Sequence, residues 1–90
     1  MKRRLFFSGY VHGVGFRWTA QRIARKNRVN GWVRNLLDGR VELFVDGNPF
    51  DIGRFLDELQ AYFIGNIHAI DEADAQDIPS SDGFYILPSK

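Results

Sequence analysis

Gly13, Gly15 and Arg17 stand close together in the run Val11-His12-Gly13-Val14-Gly15-Phe16-Arg17. Two such glycines let a backbone turn its N–H groups inward as a nest that admits an oxygen closely. If a helix begins here, its unpaired first amides and positive dipole end add to the pull on an anion. Arg17, in the first turn of that helix, contributes a planar fork of donors matched to phosphate. A P-loop would need Gly-Lys-Ser/Thr entering the helix, and a dinucleotide fold a longer glycine series, so neither fits. Taken alone, the spacing suits either an anion site or a tight strand-to-helix turn beside a solvated arginine.

The remaining residue types narrow the chemistry. The chain has no cysteine, which excludes thiol nucleophiles, disulfides and thiolate metal sites together. His12 is the one group in the loop able to serve as an auxiliary acid or base near neutral pH, and a solvent-facing role is the expectation. His68 has no partner histidine at ligand spacing, and Asp71, Glu72 and Asp74 are expected to form a solvated strand end. No metal and no cofactor are expected. Asn35 suits either the orientation of a water molecule, since an amide is no base at neutral pH, or the satisfaction of a following turn.

Local patterns say what must hold these groups in place. Arg4 to Val11 alternate, with Leu5, Phe7, Gly9 and Val11 on one face, which predicts a strand. From Phe16 the small or apolar residues Ala20, Ile23 and Ala24 recur at helical spacing, and Asn27 to Asn30 can end that helix. Gly31 to Asn35 and Arg40 to Asp46 read as strands joined around Asp38-Gly39, a strong hairpin signal. Asn48-Pro49 is a cap followed by a first-turn proline, and Ile52, Phe55, Leu56, Leu59 and Phe63 form a helical stripe that Gly65 is placed to stop. Strands over about Asn66 to Ala73 and Phe84 to Leu87 complete the series, separated by the turn-rich stretch Asp77 to Gly83. The expected fold class is α+β, an antiparallel sheet with both helices on one face and a short terminal strand.

Ninety residues suit one domain spanning 1–90, with enough apolar material for a single core. Met1-Lys2-Arg3-Arg4 has the basic character of a signal n-region, but only Leu5, Phe6 and Phe7 follow, so a cytoplasmic protein away from membranes is expected. Residues 1 to 40 hold ten Lys/Arg against Asp38 alone, whereas residues 41 to 90 hold two against ten acids. Such asymmetry suits either an anionic partner or, as is expected here, two halves whose charges interleave in one fold.

Two runs together resemble a known family. Gly9-Tyr10-Val11-His12-Gly13-Val14-Gly15-Phe16-Arg17 is similar to the first signature of the acylphosphatases, and Gly31-Trp32-Val33-Arg34-Asn35-Leu36-Leu37-Asp38-Gly39 to their second. The resemblance is clearest over the first half of the chain. It implies a ferredoxin-like βαββαβ fold and hydrolysis of acyl phosphates to a carboxylate and inorganic phosphate. It also implies a small-molecule substrate, with phosphate held by the amides of His12, Gly13, Val14, Gly15 and Phe16 together with Arg17, and water oriented by Asn35; a monomer is expected. His12 departs from the family, which usually has glutamine there, and Tyr10 stands where a basic residue is frequent.

A site this sparse suits an activated substrate. Phosphoryl transfer demands mainly positioning and charge stabilisation, and a carboxylate leaves without needing a proton. Two rival readings stay open at this stage. Phe6, Tyr10, Trp32 and Phe44 could share the outer sheet face and stack nucleic-acid bases, although the chain lacks the RNA-recognition signature and no nucleic-acid partner is expected. An anion-sensing module is the other, because similar domains open the hydrogenase-maturation carbamoyltransferases.

Overall fold

The alternation of β1 (Lys2–Gly9) puts Leu5 and Phe7 into the interior and leaves Arg4 and Phe6 on the opposite face. A computed structural model describes all residues 1–90 and places six further elements after it. They are α1 (Phe16–Lys26), β2 (Asn30–Asn35), β3 (Val41–Asp46), α2 (Pro49–Tyr62), β4 (Ile67–Ala73) and β5 (Phe84–Ile86). β1 ends two residues before Val11 because Gly9, at φ 124°, and a bulge between Ser8 and Gly9 turn the chain off the sheet.

The sheet runs β4-β1-β3-β2-β5. Its first four strands pair antiparallel, while β5 lies parallel to β2 with Val33 opposite Ile86. The terminal strand thus makes the sheet mixed, where the sequence suggested an antiparallel one. The reason is topological: β4 ends beside Arg4, at the end of the sheet where β1 and β2 begin. The segment after β4 crosses that end, and β5 therefore runs in the same direction as β2.

Both helices pack on one face. Phe16, Ala20, Ile23 and Ala24 of α1 and Ile52, Phe55, Leu56 and Leu59 of α2 join Leu5, Phe7, Val33, Val41, Leu43, Val45 and Phe84 in one core. This is the ferredoxin-like βαββαβ layering. The N-cap of α2 is as the sequence suggests, with Asn48 Oδ1 accepting from the Asp51 N–H at 2.9 Å and Pro49 in the first turn.

The charge asymmetry resolves into cross-pairing between the halves. Arg3 meets Glu72, Arg4 and Arg34 both meet Glu42, and Lys26 meets Glu58. Glu42 alone among these lies buried, at 2% exposure. No helix is long and apolar enough to cross a membrane.

Candidate active site

Val11 and Phe16, both buried, pin the two ends of the loop between β1 and α1. Phe16 packs against Phe7 and Phe63 at ring-centroid distances of 5.2 and 4.8 Å. Between those anchors Gly13 and Gly15 take left-handed conformations, φ 73° and 78°, which L side chains adopt only at a cost. A Cβ at either position would meet no atom within 4 Å, so backbone conformation and not crowding asks for glycine.

Gly15 is also the N-cap of α1, with no capping side chain and no acid in the first turn. The first helical backbone bond is donated by Thr19 to the Gly15 carbonyl, at 3.0 Å. The N–H groups of His12 through Trp18 donate to no protein acceptor, and five residues of that run, Gly13, Gly15, Phe16, Arg17 and Trp18, line one concavity at the positive end of the helix.

That concavity, about 240 Å³, is lined by Val11, Gly13, Gly15, Phe16, Arg17, Trp18, Asn35 and Ile86. It brings Arg17 and Asn35 together although they belong to α1 and to the end of β2. Asn35 alternates with Arg34, so its side chain falls on the helix side of the sheet, as Val33 does. Its Oδ1 is buried with no hydrogen-bond partner, the one such side-chain atom in the chain. A buried acceptor without a partner is costly unless something outside the protein satisfies it. No carboxylate, imidazole or thiol lines the concavity.

The backbone around Asn35 is held on both sides. Its carbonyl accepts from the Lys90 N–H at 3.0 Å, and the Leu37 N–H returns a bond to the Lys90 carbonyl at 2.9 Å. The following turn is closed by Leu36 N–H donating to the Arg40 carbonyl at 2.8 Å. The same carbonyl is 2.9 Å from His12 Nε2, so it takes a second donor and the ring of His12 is tied to the hairpin. Neither His12 nor Val14 lines the concavity; both side chains are exposed. In the hairpin, the Arg40 side chain and backbone N–H hold the Asp38 carboxyl below its ordinary value.

The other singled-out residues lie elsewhere. His68 is exposed and meets Tyr10 edge to face at 5.3 Å. Asp71 and Glu72 point to opposite faces of β4, the second paired with Arg3, and no three metal-binding side chains converge anywhere. Trp18 and Ile86 are site residues the sequence did not single out. Trp18 is signalled by being a large aromatic on the polar side of α1, where it is 63% exposed. Ile86 had no local signal, since only the pairing of β5 with β2 brings it there.

Comparison with known proteins gives the same two signatures a context. The family model described as Acylphosphatase matches residues 3–86. The chain belongs to the acylphosphatase family. This is a family of enzymes named for the hydrolysis of acyl phosphates. An acylphosphatase of Legionella pneumophila (strain Corby) is 38% identical over 80 residues, 88% of this chain and 85% of its own. One from Thermococcus kodakarensis is 53% identical over 49 residues, so the matched stretch spans 54% of each chain. A probable carbamoyltransferase HypF of Methanocaldococcus jannaschii is 36% identical across this whole chain, which corresponds to 12% of that protein. Among solved structures, the acylphosphatase of Bacillus subtilis superposes with a TM-score of 0.82 at 27% identity, covering 96% of this chain and 97% of its own.

Proposed function

We propose that residues 1–90 act as one domain that hydrolyses acyl phosphates without a metal, the loop amides and Arg17 holding the phosphoryl group and Asn35 placing the attacking water. The observation that carries this reading is the meeting of a run of unpartnered amides, a guanidinium and an orphaned amide oxygen in one concavity.

Each part has a task that the chemistry requires. The transferred phosphoryl group spreads negative charge over its equatorial oxygens in a loose transition state, and the amides of His12, Gly13, Val14, Gly15 and Phe16 together with Arg17 oppose that charge. These donors are fixed before substrate arrives, because Val11 and Phe16 anchor the loop in the core. The water donates a hydrogen bond to Asn35 Oδ1, which sets its oxygen toward phosphorus. Its proton passes to a phosphate oxygen of the substrate, since no side chain of the concavity is a base. The carboxylate departs unprotonated, which restricts the site to activated anhydrides.

The base-stacking alternative finds less support. Phe44 is fully buried, Tyr10 pairs edge to face with His68 of β4, and the rings of Phe6 and Trp32 are covered by arginines. The direct test is hydrolysis of benzoyl phosphate beside phenyl phosphate, with and without chelator. We expect turnover of the first alone and no effect of chelator; loss of activity with chelator, or equal turnover of the monoester, refutes the reading.

A further inference from the structure

The outer face of the sheet carries a second, differently built group of cations. Across that face Glu42 lies opposite both Phe6 and Arg34, and Phe44 lies opposite both Arg4 and Trp32. The buried Glu42 carboxylate accepts from Arg34 Nε at 2.6 Å and from Arg4 Nε at 2.8 Å. One negative charge thus holds two guanidiniums, each by its inner nitrogen. The terminal nitrogens of both arginines make no hydrogen bond to protein.

The central carbons of these guanidiniums lie over aromatic rings. Arg4 lies 4.9 Å from the Phe6 centroid and Arg34 lies 4.8 Å from that of Trp32. A guanidinium stacked on a ring keeps its in-plane N–H donors for an anion at its edge. Both arginines line a shallow cavity of about 370 Å³, shared with Phe6, Leu36, Arg40 and Lys90. Arg40 is already engaged by Asp38, and Asp71 faces the same side opposite Phe6. Arg4 and Arg34 therefore offer the free N–H donors of the cavity, beside Arg40 and Lys90 and the carboxylates Glu42, Asp38 and Asp71.

We propose that Arg4 and Arg34 form a second anion site, separate from the 12–17 loop, which takes a small ligand through its phosphate group. Arg34 and Asn35 are successive residues of β2 and point to opposite faces, so the two sites do not share side chains. The aromatic faces are occupied by guanidiniums, so a nucleoside attached to the phosphate adds no stacking.

The test is a two-dimensional NMR titration of the full chain, reading the Arg4 and Arg34 Nε–Hε signals and the loop amides of Gly13 and Gly15 separately. Inorganic phosphate is expected to shift the arginine signals saturably, and adenosine monophosphate to bind there no more than about threefold tighter. Arg4→Gln is expected to weaken this titration at least about tenfold, as for loss of a hydrogen bond to a charged group, while the loop amides titrate as before. If Arg4→Gln melts below the assay temperature, Arg4→Lys, which keeps a charge for Glu42 but loses the fork, carries the same expectation. The proposal fails if the arginine signals do not saturate, if sodium chloride at equal ionic strength reproduces the shifts, or if Arg17→Ala abolishes them. Much tighter binding of the nucleotide also overturns it. Because the loop amides are read independently, failure here leaves the hydrolytic reading standing, and failure of the loop to titrate strikes that reading alone.

Discussion

Replacing Asn35 by alanine is expected to leave the protein about as stable as before and nearly inactive. In the folded chain the Oδ1 of Asn35 is buried without a partner. Such a group costs about 1–3 kcal/mol of desolvation, of which the water it places returns about 0.5–1.5 kcal/mol. Against the remainder, a half-buried residue at a strand end loses modest packing on truncation, about 0.5–1 kcal/mol. The two nearly cancel, so stability should stay within about 1 kcal/mol of wild type, which for a domain of this size is a shift in melting temperature of no more than roughly 4–8 °C. Turnover of benzoyl phosphate should meanwhile fall about 10²–10³-fold, the usual effect of deleting one contact made in the transition state. Melting followed by circular dichroism and steady-state hydrolysis on the same samples provide both readings. A variant that loses stability and activity in parallel would show that Asn35 is a structural strand-end residue, and the assignment of its orphaned oxygen to water would be wrong.

Further outcomes follow from other sites. Gly31→Ala should be severely destabilising, by about 3 kcal/mol or more, because a Cβ there would lie 1.9 Å from the Phe44 carbonyl oxygen at φ 142°; a near-native melting temperature would refute this. His12→Gln should leave kcat within about threefold, since glutamine can still donate to the Arg40 carbonyl and a neutral hydrogen bond is worth about 0.5–1.5 kcal/mol; a large loss would make His12 part of the chemistry. The carboxyls of Glu72, Asp38 and Glu58 are held below their ordinary values by hydrogen bonds from Arg3, from Arg40, and from Lys26 with Asn27. Their folded values are depressed, so the stability they contribute is present above the ordinary carboxylate range and is lost as pH falls through the lowered values. Melting temperatures should therefore be flat from neutrality to the carboxylate range and decline below it, less steeply in high salt; a decline starting near neutral pH would contradict this.

Much of this architecture is legible from local pattern. Period-two alternation marks β1, helical spacing marks α1 and α2, and Asp38-Gly39 and Asn48-Pro49 mark a hairpin and a helix start. What local pattern does not carry is pairing. The parallel placement of β5 depends on where the 74–83 segment crosses the sheet, and with it came Ile86 at the concavity. The sequence placed His12 in the loop, but its bond to the Arg40 carbonyl links residues 28 positions apart. Likewise, Glu42 reads as an ordinary polar strand residue; its burial follows from two arginines arriving on neighbouring strands. The charge asymmetry, by contrast, needed only the fold to become ion pairs between the two halves.

If Arg17 holds the phosphoryl group, its replacement by alanine must show in kcat/KM for benzoyl phosphate. A fall of at least about 10³-fold is expected, as for loss of a charged contact to the transferred group, in a protein that melts as the wild type does. A well-folded Arg17→Ala variant that retains wild-type kcat/KM would contradict it.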